Sequence, residues 1–96
     1  MSASSKSRSS RNIIGERVRE SRKKFTPPLT QDQLAGRLAK SGIAIDRVAI
    51  AKIENGSRCA FDFEVKSIAN VLHVDVRWLL GVENQPMPAS QKASIK

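Results

Sequence analysis

Arg47, Val48, Ala51 and Lys52 form a set that an ordinary solvated helix face does not need. At about 100° per residue, a helix over 46–55 puts Ile50 and Ile53 on its buried side, flanked by Asp46, Ala49 and Glu54. Val48, Ala51, Lys52 and Asn55 then fall on the opposite side, with Arg47 at its edge. A face meant only for water is normally long, charged and helix-favouring. This one mixes small, apolar and basic groups, so that a second surface can come close. The chemistry open to it is contact with base edges: Arg and Lys match guanine O6 and N7, and small apolar side chains meet the thymine methyl. The plainer alternative is an exposed face without a task, and the neighbouring elements weigh against it.

Those elements are legible on both sides. Thr30 and Gln33 have the capping-box spacing, and Leu34, Ala35 and Leu38 supply an apolar stripe, so a helix is expected over 31–40. After Gly42 the chain restarts at Asp46, a favourable N-cap. It stops at Asn55-Gly56, where glycine takes the left-handed position after the helix. Two capped helices joined by a glycine-bearing turn make a helix-turn-helix pattern. Upstream, a helix over 13–24 has Ile14 and Val18 inward and Arg17, Arg19, Lys23 and Lys24 outward. Thr26-Pro27-Pro28 ends it, because the residue before a proline is pushed out of the α region. Downstream, Asp62 is expected to cap a helix reaching Leu72, with Val65, Ile68, Ala69 and Leu72 as its core stripe and Phe61 or Phe63 covering its start. His73 ends that helix, since histidine tolerates positive φ better than most residues. Asp75 then caps a short fifth helix with Val76, Leu79 and Leu80 inward. Trp78 falls roughly 100° off that stripe. It either packs on the domain edge or belongs to a self-association surface.

The string Thr30-Gln31-Asp32-Gln33-Leu34-Ala35, followed by Ile50-Ala51-Lys52-Ile53-Glu54-Asn55-Gly56, resembles the helix-turn-helix of the phage-repressor (Cro/lambda-repressor, XRE) family. Ile14 to Arg22 resembles that family's first helix. Asp62-Phe63-Glu64-Val65 with Ile68-Ala69 and Leu72 resembles its fourth, and Trp78-Leu79-Leu80-Gly81 the end of its fifth. The stretch between the two motif helices is several residues longer than in short-turn members. It looks like an extended helix or turn around 39–45.

The resemblance implies an all-α, compact five-helix domain of the lambda-repressor-like DNA-binding type. It implies sequence-specific binding of double-stranded DNA by a transcriptional regulator, a repressor acting as a homodimer. The helix over 46–55 then enters the major groove. Arg47 and Lys52 read guanine, Val48 contacts a thymine methyl, and Ala51 completes the base-reading face. Gln31 holds a phosphate with its backbone amide and side chain at a helix N-terminus. Asn55, Ser57 and Arg58 anchor phosphates on the far side, fixing register without reading sequence. The resemblance also pairs Arg22 with Glu54 as structural support. Glu54 flanks the buried side of its helix, where a charge without a partner costs several kcal/mol.

Composition bounds the rest. The chain has 96 residues, enough for one domain, and 17 Lys and Arg against 9 Asp and Glu. Residues 1–58 hold 13 of those bases and 5 of the acids, whereas 59–83 hold 2 and 4. The positive charge therefore accompanies the first three helices, as a polyanion-facing surface requires. Residues 1–12, rich in Ser and carrying Lys6, Arg8 and Arg11, read as a disordered basic arm. It is either a solvated tail or a strand that follows a groove or phosphates. The helix-turn-helix domain is assigned to 13–82, and 83–96, with Pro86 and Pro88, to a disordered tail.

No apolar run approaches ~18 residues, and no amphipathic helix pairs a Lys-rich face with bulky aromatics, so no membrane partner is expected. With no secretory signal after the first basic residues, a cytoplasmic, nucleoid-associated location is expected. With no ligand-sensing domain, no small-molecule effector is expected. Cys59 has no partner for an internal disulfide, which suits a reducing compartment. It reads as a buried or loop thiol, since no His or second Cys lies near it in sequence. His73, the sole histidine, has no companion at ligand spacing, so neither metal nor cofactor is expected. No nucleophile–base set and no glycine-rich phosphate loop can be assembled. The chain reads as a binding protein, not an enzyme. The alternative class is a helical protein-interaction adaptor, a bridging factor or antitoxin-like partner with an apolar surface around Trp78 and little DNA specificity. RNA is disfavoured, because four aromatic residues and no tyrosine make a poor stacking platform.

Overall fold

In the computed structural model, which describes residues 10–84, those residues form five helices and no strand. They are α1 (Gly15–Lys23), α2 (Gln31–Lys40), α3 (Arg47–Glu54), α4 (Asp62–Leu72) and α5 (Val76–Leu79). The all-α expectation holds, and each boundary has a local cause. Thr30 Oγ1 accepts from the Gln33 amide at 3.0 Å, while Gln33 Oε1 accepts from the Thr30 amide at 2.9 Å, closing the capping box of α2. Asp46 Oδ1 accepts from the Ala49 amide at 2.9 Å and starts α3. His73 ends α4 in the left-handed region, at φ 60°.

The residues inserted between α2 and α3 form a turn, not a longer helix. Gly42, at φ 90°, follows Ser41, and the Gly42 and Ile43 amides donate back to Ala39 O and Leu38 O. That pattern closes a helix with a left-handed residue. Ile45 then enters the core, which pins the turn before α3 begins. α3 rests on α1 and α2, α4 packs against both of those helices, and α5 closes onto α4. Ile14, Val18, Leu34, Leu38, Ile50, Ile53, Ile68 and Leu79 meet at the centre, each essentially without exposure.

Several expectations need correction. α1 starts at Gly15, not at 13, and Ile13 is exposed. Asp62 is the first residue of α4 and Phe61 is its N-cap; the carboxylate that answers the Phe61 amide, at 3.0 Å, belongs to Glu64. Phe61 and Phe63 do not cover the start of α4. They stack on each other in solvent, ring centroids 5.6 Å apart. Val76 and Leu80 are exposed rather than inward, because α5 is one turn long and Trp78 and Leu79 take its inward sector. Trp78 itself is only 3% exposed and is no dimer surface. The Arg17 guanidinium lies 4.8 Å from its ring centroid and donates to Trp78 O at 2.6 Å, with the Lys24 ammonium 5.8 Å from the ring. Cation–π attraction and burial thus lock α5 onto α1.

The domain also extends past its expected ends. Arg17 reaches the Glu83 carbonyl at 3.2 Å, and residues 10–12 lie against the α3 terminus. The rest of the expected arm, 1–9, and the tail from 85 lie outside the described residues.

Candidate nucleic-acid interface

The outward face of α3 is built by what lies behind it. Ile50 and Ile53 are buried, so the helix can rotate in only one way. Val48 is left 49% exposed, Lys52 and Arg47 are exposed, and Ala51 is half-buried. Arg47 occupies the first helical position, where the positive end of the helix dipole disfavours a cation. Neither Arg47 nor Lys52 joins an ion pair among the described residues. Among the described residues no carboxylate pairs with either charge. The four expected base-reading residues are brought onto one face.

Behind that face sits the Arg22–Glu54 pair, as expected. Arg22 Nε donates to Glu54 Oε2 at 2.7 Å and Nη2 to Oε1 at 2.9 Å, a two-pronged bond between nearly buried side chains. Arg22 Nη1 also donates to Leu29 O at 2.8 Å. One guanidinium thus joins α1, the entry to α2 and the end of α3. Gln31 belongs to the same network: its Nε2 donates to Glu54 Oε1 at 3.0 Å. Its side chain thus has a partner within the fold that the expected phosphate role did not include. The capping box engages the amides of Thr30 and Gln33 rather than that of Gln31.

Arg58 has such partners too. Its Nη1 and Nη2 donate to Glu64 Oε1 and Oε2 at 2.9 and 3.1 Å, and Nη1 donates to Cys59 O at 2.9 Å. Glu64 is only 4% exposed, and the hydrogen bonds from Arg58 hold its carboxyl below the usual carboxylate range against the cost of burial. Arg58 therefore has a structural partner that its expected phosphate role did not include. Nothing in the spacing of 58 and 64 announces this, because they lie across a loop rather than on one helix face. Asn55 and Ser57 stay exposed at the α3 terminus. Asn55 Oδ1 accepts the Ser57 amide at 3.0 Å, so the Asn55 amide nitrogen points outward uncommitted by that bond. Cys59 is an exposed loop thiol.

Asn12 is the residue the sequence concealed. Its Oδ1 accepts the Ile14 and Gly15 amides at 2.9 and 2.8 Å, and its Nδ2 donates to Ile53 O and Arg58 O at 3.0 and 2.8 Å. One side chain thus satisfies orphan donors at the start of α1 and acceptors around the end of α3. Gly15 makes that approach possible: a Cβ there would run into the Ile53 and Glu54 carbonyl oxygens. Gly56, at φ 85°, lies under Ser10, and its carbonyl accepts the Arg11 amide at 2.6 Å.

Two concavities border α3. One, of about 180 Å³, is lined by Arg19, Arg22, Gln31, Ala51, Glu54 and Asn55. The other, more open and about 620 Å³, is lined by Arg11, Asp46, Val48, Ala49, Lys52, Ser57, Arg58 and Cys59. Both are shallow and lined in part by charged residues, which suits a charged macromolecular surface better than an enclosed small molecule. Among the described residues, no group of three or more His, Cys, Asp or Glu side chains could hold a metal ion. No described helix is long and apolar enough to cross a membrane. Comparison with protein-family models, curated proteins and solved structures found no match for the chain.

Proposed function

We propose that this chain is a sequence-specific, double-stranded-DNA-binding transcriptional regulator of the phage-repressor helix-turn-helix type, a repressor that places α3 in the major groove. The observation that carries this is the outward side of α3. Two cations without an ion pair among the described residues, an exposed Val48 and a small Ala51 share a face that the core fixes from behind. Arg47 and Lys52 supply donors for guanine, Val48 meets a thymine methyl, and Ala51 lets the bases come close. Asn55 and Ser57 stand where the helix leaves the groove and can hold phosphate oxygens. The protein binds rather than catalyses. A single module covers only about 600–1,000 Å² of DNA, so two copies on a two-fold axis are proposed, on half-sites about 34–36 Å apart.

Selection of bound duplexes from a random pool tests this directly, with enrichment of a pseudo-palindrome expected. On the selected duplex, log K should fall against log salt with a slope of roughly −5 to −7 if five to eight phosphates are neutralised per dimer. A slope near zero, or no enriched sequence, counts against the proposal. The protein-adaptor alternative loses the Trp78 surface and keeps the stacked Phe61–Phe63 pair as its exposed apolar patch. A chain that selects no duplex would favour it.

A further inference from the structure

The two concavities beside α3 lie on different sides of the helix. Ala51, Glu54 and Asn55 line one, and Val48, Ala49 and Lys52 line the other. At about 100° per residue, these two sets flank the outward direction, with Ile50 and Ile53 opposite both. Each concavity also receives an arginine from outside the helix-turn-helix. Arg19 of α1 reaches the first, and Arg11, ahead of α1, reaches the second. Both side chains are exposed, and neither joins an ion pair among the described residues. Their placement is built, not incidental. Arg11 is fixed through its own amide on Gly56 O and through the four bonds of Asn12 beside it. Arg19 sits one helical turn before Arg22, which is locked to Glu54.

The acids that line the two concavities each have a role within the fold. Glu54 is taken by Arg22 and Gln31, and Asp46 caps α3 through Oδ1. A helix with its side chains is about 10–12 Å across, and the major groove is about 12 Å wide. A helix seated there therefore has one strand's phosphates along each side.

We propose that Arg11 and Arg19 are paired phosphate anchors, one for each strand bordering the groove that α3 enters. The assignment rests on the DNA-binding function proposed above. It adds that the site requires a duplex, because a single strand can occupy only one side. The two arginines add to the expected contacts of Gln31 and Arg58, whose side chains already have hydrogen-bond partners within the fold.

The test uses the full chain and its selected duplex, with Arg11→Gln, Arg19→Gln and the double variant. Each single change should lower the salt slope by about one unit per protomer, and the double by about two, with losses alike on selected and unrelated duplexes. Unchanged thermal unfolding is expected, since both side chains are exposed. Neutral methylphosphonate linkages, placed in one strand at a time, identify the partner. Arg11→Gln should become insensitive to substitutions in one strand and Arg19→Gln to those in the other. Wild-type slopes in both variants, or insensitivity of both to the same strand, would overturn the proposal while leaving DNA binding intact. A wild-type chain that holds no duplex would overturn both proposals together.

Discussion

The two flanks of α3 use the same device in different depths of the fold. On one, Arg22 clamps Glu54; on the other, Arg58 clamps Glu64, each with both prongs of its guanidinium. The side chains of the first pair are 11% and 5% exposed, and those of the second 29% and 6%. Arg22–Glu54 joins residues 32 positions apart and ties α1 to α3, whereas Arg58–Glu64 spans 6 positions and ties a loop to the start of α4. Each flank has a second arginine with no ion pair among the described residues, Arg19 on the first and Arg11 on the second. Two kinds of cation that look alike in a charge count thus stand side by side. An arginine opposite a nearly buried carboxylate is held by the fold, and one standing in a shallow concavity is the kind proposed above to meet a partner.

The largest effect should follow from Arg22→Met. It strands Glu54 almost out of water, at a cost of about 3–5 kcal/mol in urea denaturation. Replacing both partners by apolar residues should recover much of that loss. A change within half a kcal/mol of wild type would erase the distinction drawn here (a surface pair contributes only about 0–1 kcal/mol).

Arg58→Ala should cost less, about 1–3 kcal/mol, because its guanidinium is partly solvated and Glu64 keeps the Phe61 amide. This pair also predicts a pH dependence. The carboxyl of Glu64 is held low in the folded state, chiefly by Arg58, so the unfolded chain binds its proton more readily. Its stabilising contribution is complete above the usual carboxylate range and is lost as pH falls through the lower, folded value. Glu64→Gln should therefore flatten the acid limb of a stability–pH curve. An acid limb identical to wild type would show the pair to be unimportant.

Arg47→Ala, on the face between the flanks, should leave stability nearly unchanged. It should weaken binding to the selected duplex by about 1–3 kcal/mol and relax the preference at one base pair. Losses equal on every sequence would move Arg47 from reading bases to holding phosphate. The smallest effect is expected from Cys59→Ser. An exposed thiol on the Arg11 flank should change stability by no more than about 0.5 kcal/mol. A larger drop in duplex affinity would mean that this flank works by more than charge.

How far the sequence reaches depends on the range of the interaction concerned. Capping is decided within three or four residues, so the Thr30–Gln33 box, the Asp46 cap and the left-handed end at His73 were legible from residue types alone. Helical periodicity is equally local, and it placed Ile50 and Ile53 inward and Arg47, Val48 and Lys52 outward. Arg22–Glu54 was legible through resemblance, together with the cost of a lone charge on a buried flank. Other features depend on which elements touch, and no short spacing encodes that. Trp78 looked peripheral on its own short helix until Arg17 of α1 and Lys24 just beyond it closed over its ring. Arg58 looked available until the loop folded it onto Glu64. Asn12 looked like the end of a tail, yet its partners lie as far as 46 positions away. Sequence by itself determined which segments are helical and which faces of the longer helices are apolar, because short-range sterics and hydrogen bonds decide both. Only the tertiary structure decided which charges remain free, because a cation's availability depends on the carboxylate that packing brings to it.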